Sequence, residues 1–483
     1  MKLFTRLFVI ALILLTGSFH RSFSQGYTPI IEPVKMVKYA PGLIVKQGYL
    51  VVPENRHQPN GRKTKIPFVF VRQPRQDAQK NISLYCTGGP GYSATANMDS
   101  VIYNSGLVKF GGFIVFGQRG TKKAVPCLTC TEVDSAVKRS YKQYLNKDSL
   151  VLIAVKECRN RFTGQGIDLS AYNTIESAED INDLRLALHV DSLNLVGISY
   201  SGSLMLTLAR NHPEAVRSLI LNSPLPGYVN YEEHSLYNIN EALDQVFANC
   251  EADSAGNKAY DNLKSRFRQY FTAITDKKFS ISYLEKGARD SVKMGYTKNE
   301  LLDAIVNRLN SDQVKTVPAV INDIISGKHD RYIRDGIDGS FSGDKDIALG
   351  MRYSVYCSEQ IAYSNLAIQQ QQDKLMPWFS GYPCNSPDKA ICDCWKVNPE
   401  PAVVKTAVYS NVPALIVAGD IDPWCRPFYN RLIKRTMPNS QLLIRHNKGH
   451  APGFTVDGID YVKLFLANPF QKLVSQSKDL VIE

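Results

Sequence analysis

The sequence lacks the long apolar runs of a membrane protein. The chain has 483 residues, and beyond residue 15 it contains no apolar segment long enough to cross a bilayer. A helix that crosses a bilayer needs about 20 apolar residues. Internal repeats and long low-complexity linkers are also missing. The length therefore favours one large domain with a substantial insertion, or two domains.

Acidic residues are fewer than basic residues, but the basic excess is not concentrated in one place. The sequence has 45 Asp and Glu residues against 57 Lys and Arg residues, a formal net charge of +12. Its densest basic stretch, 56–65, contains Pro-Asn-Gly and is typical of a hairpin tip. Because no aromatic residues interleave with these charges, nucleic-acid binding is not predicted.

The N-terminus has the pattern of an export signal. Basic residues precede the apolar run 7–15, and small residues at 22–24 follow at the spacing that signal peptidase recognises. We expect residues 1–24 to be removed, which leaves Gln25 first; a membrane anchor is the competing interpretation. No cysteine follows the apolar run directly, so a bacterial lipoprotein anchor is not predicted. The predicted location is secreted or periplasmic.

All 10 cysteines lie after the predicted signal, which fits an oxidising compartment. Cys127 or Cys130 is expected to pair with Cys158, and closing a loop of about 30 residues would contribute roughly 3–4 kcal/mol. Zinc is the alternative for Cys127 and Cys130, but no second C-x-x-C or histidine pair completes a tetrahedral site. No metal or cofactor is predicted. A second group, whose pairing the sequence leaves open, consists of Cys357, Cys384, Cys392 and Cys394.

Short apolar strands alternate with helical patterns along much of the chain. Gly48–Pro53 and Ile66–Val71 are predicted to form an antiparallel hairpin. From Ile82 onward the alternation is typical of a parallel α/β sheet. It stops after about residue 226, where helical patterns dominate, and it resumes with a strand that begins at Pro413.

This interruption predicts a two-part organisation of the fold. Residues 25–226 and 407–483 are expected to form an α/β core, a mostly parallel sheet flanked by helices. Residues 227–406 are expected to form a large, mainly helical cap inserted before the last two strands. We use the name cap for residues 227–406 throughout.

A serine lies at the junction of a predicted strand and a predicted helix. The strand Leu193–Gly197 runs into the sequence Gly-Ile-Ser-Tyr-Ser-Gly, with Ser199 at the apex of the turn. Such a turn needs small residues two positions before and after the serine; Gly197 meets this requirement, and Ser201 replaces the usual second glycine. The context is typical of a nucleophile elbow. The alternative is an ordinary serine-rich turn.

Two residues late in the chain complete a candidate catalytic triad. A serine hydroxyl becomes reactive when a neutral imidazole accepts its proton and a carboxylate orients that imidazole. His450, in a loop after the last predicted strand, is preferred over His446, which adjoins the strand end. Asp422, whose direction the following proline fixes, is preferred over Asp420. The order Ser199, Asp422, His450 is the one expected of this strand–turn–helix context.

A glycine-rich turn supplies candidate groups for an oxyanion hole. Gly88-Gly89-Pro90-Gly91 follows the predicted strand Ile82–Cys86 and allows backbone N–H groups to approach a substrate closely. One donor would come from Gly88 or Gly89, and the other from the N–H of Tyr200. These groups would hold the negative charge that develops on the scissile carbonyl oxygen.

Several motifs in the same order resemble the proline-iminopeptidase and tripeptidyl-aminopeptidase branch of the α/β-hydrolases. T-G-G-P-G at 87–91 resembles H-G-G-P-G of that branch, and G-Q-R-G-T at 117–121 resembles D-Q-R-G-T. The terminal histidine motif has its counterpart in Gly449-His450. Three further segments before the elbow also resemble that branch: 158–159, 166–174 and 178–181. One more lies in the cap, at 357–359, and one after the cap, at 419–423.

The resemblance implies a secreted serine exopeptidase that removes single residues or short peptides from a free N-terminus. It also implies a cap that covers the active site and limits substrate length. Glu359 is the candidate acceptor for the free amine, with a structural carboxylate as the alternative. Thr87, Gly117 and Ser201 depart from the motifs of that branch. An esterase with the same triad and a non-catalytic binding protein on the same scaffold are the competing functions.

Overall fold

The computed structural model describes residues 26–34, 42–96, 106–253, 260–343, 347–383 and 388–483. The predicted signal at 1–24, its cleavage point before Gln25, and Cys384 lie outside these ranges. Within them, no helix combines the length and the apolar character that a bilayer crossing requires.

A ten-stranded sheet forms the centre of the fold, in the order β1-β2-β3-β5-β4-β6-β7-β10-β11-β14. The strands from β5 to β11 in that order are parallel, whereas β1, β2, β3 and β14 pair antiparallel with their neighbours. Two further pairs, β8 with β9 and β12 with β13, form separate hairpins. The strands are β1 Ile30–Pro33, β2 Ile44–Pro53, β3 Lys63–Arg72, β4 Ile82–Cys86, β5 Phe113–Phe116, β6 Leu193–Ile198, β7 Val216–Asn222, β8 Phe279–Tyr283, β9 Val292–Tyr296, β10 Ala414–Gly419, β11 Ser440–Arg445, β12 Thr455–Val456, β13 Ile459–Asp460 and β14 Leu480–Ile482.

Helices flank the sheet and build the cap. Helices of the core connect β5 to β6, β6 to β7 and β10 to β11, as expected for parallel pairing. The α-helices are α1 Thr131–Gln143, α2 Lys147–Gly164, α3 Thr174–Ala187, α4 Tyr200–Asn211, α5 Ser235–Ala252, α6 Leu263–Ala273, α7 Lys298–Val306, α8 Val317–Ile325, α9 Asp330–Ser342, α10 Leu349–Glu359, α11 Leu366–Leu375, α12 Lys389–Trp395, α13 Pro427–Thr436 and α14 Tyr461–Ala467.

The α/β fold predicted from the alternation is confirmed. The predicted N-terminal hairpin is β2 with β3, which is longer than the two apolar segments because its polar ends also pair. The predicted strand that leads to Ser199 is β6. The short strand β14 was not predicted, since three residues at the sheet edge leave no readable alternation.

One hydrophobic cluster lies mostly within the cap and also includes Tyr141 and Ile421 from outside it. The described strands of the cap lie outside the ten-stranded sheet, and its helices pack around fully buried side chains such as Leu302, Ile321 and Phe379. A separate core, which includes Leu195 and Ile416, lies under the sheet. A third cluster contains Leu128 from the core and Trp395 from the cap, so buried apolar surface also stabilises the contact between the two parts.

Two disulfides are present among the described cysteines. Cys130 pairs with Cys158 and joins the start of α1 to α2, which decides between the two predicted partners of Cys158. The zinc alternative for Cys127 and Cys130 was therefore wrong, because the Cys130 sulfur is bonded to another sulfur. Cys357 pairs with Cys392 and joins α10 to α12 within the cap.

The motif at 117–121 is part of a buried ion-pair network. Arg119 is fully buried, and its guanidinium donates to both carboxylate oxygens of Asp180 at 2.7 and 2.6 Å. Arg56 reaches the same carboxylate at 2.7 Å and also pairs with Glu176. The network connects the end of β5 and the turn after β2 to α3, which carries Asp180. This gives 117–121 and 178–181 a structural role.

Candidate active site

Ser199 occupies a strained turn between β6 and α4. Its backbone angles, φ 57° and ψ −126°, lie outside the regions that residues with a side chain normally adopt. The turn brings backbones into close contact: a Cβ on Gly197 would lie 2.9 Å from the Ser201 carbonyl oxygen, and a Cβ on Gly202 would lie 2.5 Å from Pro224. These contacts hold the backbone of Ser199 in the conformation expected of a nucleophile elbow.

The serine that replaces the second glycine of the elbow is accommodated by hydrogen bonds. Ser201 is fully buried, and its hydroxyl accepts from the N–H of Ile198 at 2.7 Å. The same hydroxyl reaches the carbonyl oxygen of Cys86, at the end of β4, at 2.9 Å. Gly197 allows the close contact between strand and helix, and Gly202 allows α4 to approach Pro224, just after β7. This departure from the family motif leaves the elbow conformation intact.

Asp422 and His450 form a directly bonded pair. Nδ1 of His450 donates to Oδ2 of Asp422 at 2.8 Å. The other carboxylate oxygen accepts from the backbone N–H groups of Trp424 and Cys425, both at 2.9 Å. Asp422 is fully buried, and the edge of the Trp424 ring packs against the imidazole, with ring centroids 5.2 Å apart. The carboxylate thus fixes both the tautomer and the direction of the imidazole.

The two residues that the sequence analysis ranked second form a separate pair. His446 Nδ1 lies 3.2 Å from Asp420 Oδ2, and the His446 side chain is 41% exposed. Burial raises the pKa of the Asp420 carboxyl, and His446 offsets this only in part. Burial also acts to raise the pKa of Asp422, but the charge and hydrogen bond of His450 hold that pKa below its usual range. The pKa of Asp420 is thus raised and that of Asp422 lowered, and the contact with His450 favours the ionised form of Asp422.

A thiol connects the bonded pair to the serine. Sγ of Cys425 lies 4.0 Å from Oγ of Ser199. Potential ligand atoms of Asp422, Cys425 and His450 all lie within 4.8 Å of one another. The serine hydroxyl and the Asp422–His450 pair therefore both lie close to the buried thiol of Cys425. Cys425 was not singled out from the sequence, although its place three residues after Asp422 was a signal that could have been used.

The same three side chains are of types that can bind a soft cation such as Zn²⁺. However, the Asp422 carboxylate already accepts hydrogen bonds on both oxygens, one of them from His450. Both carboxylate oxygens and Nδ1 of His450 therefore already have hydrogen-bond partners within the protein.

The glycine-rich turn after β4 lies directly against the serine. A Cβ on Gly88 would lie 2.8 Å from Cβ of Ser199 and 3.4 Å from its Oγ, so only glycine fits. Gly89 follows with φ 121°, a conformation that favours glycine. Tyr200 is the first residue of α4, where backbone N–H groups have no partner within the helix. Gly88 thus lies beside the Ser199 side chain, and the oxyanion role of Gly88, Gly89 and Tyr200 stays a prediction.

Glu359 lies at the C-terminal end of α10. It is only 4% exposed, and its Oε1 accepts from the backbone N–H of Thr174, the first residue of α3. Burial raises the pKa of its carboxyl, an effect that nearby Lys405 and Arg210 oppose. One of its oxygens therefore stabilises a helix N-terminus. Its predicted role in binding an amine stays a prediction.

A model of the alpha/beta hydrolase fold family matches residues 159–455, more than half of the 483 residues. The chain belongs to the α/β-hydrolase fold family. The matched range includes Ser199, Asp422 and His450. A solved α/β-hydrolase, MGS-M2 from a Medee basin deep-sea metagenome library, is 13% identical, with 86% of this chain and 99% of that chain covered at a TM-score of 0.36.

Two curated proteins are similar in sequence to part of this α/β-hydrolase. Tripeptidyl aminopeptidase of Streptomyces coelicolor is 23% identical over 190 residues, and its counterpart in Streptomyces lividans is 24% identical over 191 residues. Each match covers 37% of this chain but only 35% of the relative's length. The resemblance to the tripeptidyl-aminopeptidase-like branch is thus confirmed, while substrate and specificity belong to the proposal below.

Proposed function

We propose that this α/β-hydrolase is an exported serine aminopeptidase that releases single residues or short peptides from free N-termini. The bonded Asp422–His450 pair, brought to the same thiol as the Ser199 hydroxyl, is the observation that carries the proposal. The two disulfides support an oxidising location. The named relatives support peptide substrates over simple esters.

The proposed reaction proceeds through an acyl-enzyme. Oγ of Ser199 attacks the scissile carbonyl carbon while the second ring nitrogen of His450 accepts the hydroxyl proton. Backbone N–H groups of Gly88 or Gly89 and of Tyr200 hold the resulting oxyanion. The intermediate then expels the amine, which takes the proton from His450. Water, activated by the same imidazole, hydrolyses the ester and restores Ser199.

A carboxylate in the cap would accept the free amine of the substrate. Glu359 is the candidate from the sequence, and Glu232 is a second one from the structure. Glu232 is 8% exposed and lines a cavity of about 290 Å³ whose wall also carries Glu233 and Asp373. Glu232 also acts electrostatically on Arg352, which bonds the glycine-rich turn. Its proximity to Arg352 is what makes Glu232 a candidate, because the described residues that line the cavity do not include Ser199, Asp422 or His450.

N-acetylation of a peptide anilide is expected to lower kcat/KM by at least about 10-fold, because a charge-assisted hydrogen bond worth roughly 1.5–3 kcal/mol is lost. The measurement compares free and acetylated forms of the same di- and tripeptide anilides, with p-nitrophenyl esters assayed alongside. Equal rates for free and acetylated peptides would reject the aminopeptidase proposal. Hydrolysis of the esters alone would favour the esterase.

The same substrates identify the amine acceptor. Glu232→Gln and Glu359→Gln each remove one negative charge while keeping the size of the side chain. In the variant that removes the acceptor, kcat/KM should fall about 10- to 100-fold for the free peptide and change little for the acetylated peptide. Equal losses on both substrates would mean that the carboxylate only supports the structure.

A further inference from the structure

The cap holds the loop that carries His450. The backbone N–H of His450 donates to the carbonyl oxygen of Leu309 at 2.9 Å, and the N–H of Ser311 donates to the carbonyl oxygen of His450 at 3.1 Å. The Ser311 hydroxyl lies 3.0 Å from the carbonyl oxygens of both Gly449 and His450. Two cap residues, Leu309 and Ser311, therefore bond the backbone at the candidate base and just before it.

The contact between cap and loop is too close for any side chain at Gly449. A Cβ there would lie 2.0 Å from the carbonyl oxygen of Leu309 and 2.8 Å from the carbonyl carbon of Asn310. Leu309 is fully buried in the hydrophobic core of the cap, which fixes the position of this segment. The Gly-His motif thus has a physical reason: the glycine lets the cap backbone reach the histidine loop.

The cap also holds the glycine-rich turn beside Ser199. The N–H of Ala348 donates to the carbonyl oxygen of Gly91 at 2.9 Å, just before α10 begins. One turn into α10, Nη1 of Arg352 donates to the carbonyl oxygen of Gly89 at 2.8 Å. A Cβ on Gly91 would lie 2.8 Å from the carbonyl oxygen of Ala348. At Gly91, as at Gly449, a glycine lets the backbone of the cap come close enough to form a hydrogen bond.

The Arg352 guanidinium is held in place by its surroundings within the cap. It lies over the ring of Tyr356, 4.7 Å from the centroid, and the carboxylate of Glu232 acts on it electrostatically. A guanidinium with a fixed direction can orient the carbonyl group that it bonds. Fixing the Gly89 carbonyl in turn limits rotation of the backbone that carries the proposed oxyanion donors.

We propose that the cap positions the catalytic groups through these two contacts, with Ser311 orienting the His450 loop and Arg352 orienting the oxyanion turn. The inference rests on the proposed function. Neither residue touches the reacting atoms in this mechanism, so both are positioning residues. A misplacement of about 1 Å at a catalytic group can cost about 100-fold in rate, which makes such contacts measurable.

Ser311→Ala, Arg352→Met and Arg352→Lys test the inference with a free-amine peptide anilide. We expect Ser311→Ala to lower kcat about 5- to 10-fold and Arg352→Met about 10- to 100-fold, with KM within about 2-fold of wild type. Arg352→Lys, which keeps a charged donor, should recover part of the loss. Binding of a peptidyl boronic acid, which imitates the tetrahedral intermediate, should weaken in parallel with kcat.

Matched controls come from the cap itself. The Ser340 hydroxyl also donates to a backbone carbonyl oxygen, that of Gly336, but inside α9. Arg331 also lies over a tyrosine ring, that of Tyr332, at 4.8 Å. Ser340→Ala and Arg331→Met should therefore leave kcat and boronate affinity within about 2-fold of wild type. Thermal unfolding of every variant reports whether the fold is intact.

The outcomes separate this inference from the proposed function. Active sites are first titrated with a fluorophosphonate, and kcat is expressed per reactive site. A wild-type protein that does not react removes the proposed function and this inference with it. A reactive wild type, with per-site kcat and boronate affinity unchanged in Ser311→Ala and Arg352→Met, overturns the inference alone. If Arg352→Met fails to fold, unchanged values in both Ser311→Ala and Arg352→Lys overturn it.

Discussion

Asp422→Asn is expected to lower kcat by about four orders of magnitude with little change in KM. The amide can present its NH₂ group to Nδ1 of His450, which favours the wrong tautomer and leaves the second ring nitrogen unable to accept the serine proton. The loss is large because the Asp422 carboxylate is fully buried, so no water replaces it. Steady-state kinetics on a free-amine peptide anilide, with protein corrected for folded fraction, measures the effect.

Asp420→Asn is the matched control, because Asp420 lies two residues away and also pairs with a histidine. Its partner His446 is 41% exposed and belongs to the surface. We expect kcat to change less than about 3-fold, because Asp420 pairs with His446 and not with His450. A large loss from Asp420→Asn with near-normal activity in Asp422→Asn would reverse the assignment of the carboxylate.

Arg119→Ala is expected to lower the free energy of unfolding by about 3–5 kcal/mol, the usual cost of removing one partner from a buried ion pair. Arg119 is fully buried and donates to both oxygens of Asp180. Arg56 still contacts that carboxylate, so we expect a value near the lower end of the range. Urea unfolding followed by tryptophan fluorescence measures the change in midpoint.

Arg161→Ala serves as the comparison for Arg119→Ala. Arg161 also forms a close pair, with Glu132 at 2.6 Å, but its side chain is 37% exposed. Exposed pairs contribute about 0–1 kcal/mol, because water competes for both charges. Equal destabilisation by Arg119→Ala and Arg161→Ala would show that the buried network has no special role in stability.

The sequence predicted the parts of the molecule that depend on local pattern. A buried strand that ends in Gly-Ile-Ser leads to the strained turn at Ser199, because the turn and its small neighbours are set within a few residues. The order of serine, aspartate and histidine was readable because the core strands alternate with helices on both sides of the cap. The choice of Asp422 over Asp420 rested on Pro423, which pins the turn.

Other features depend on contacts between distant segments and could not be predicted. Ser311 is 139 residues before His450 in the chain, and no periodicity in the cap marks its hydroxyl as a partner of that loop. The pairing of Cys357 with Cys392, rather than with Cys394, depends on how α10 packs against α12. The motif around Glu359 could be recognised in the sequence, but its hydrogen bond to the N–H of Thr174 at the start of α3 could not.

The proposed chemistry requires one hydroxyl to be far more reactive than all other serine hydroxyls of the chain. Intact-mass spectrometry after incubation with a fluorophosphonate, followed by peptide mapping, tests this requirement. We expect one adduct per chain, located on Ser199 and absent from Ser199→Ala, whose far-ultraviolet circular dichroism should match the wild type. Undiminished labelling of Ser199→Ala, or a wild type that takes up no adduct while cleaving the peptide anilide, would contradict Ser199 as the nucleophile.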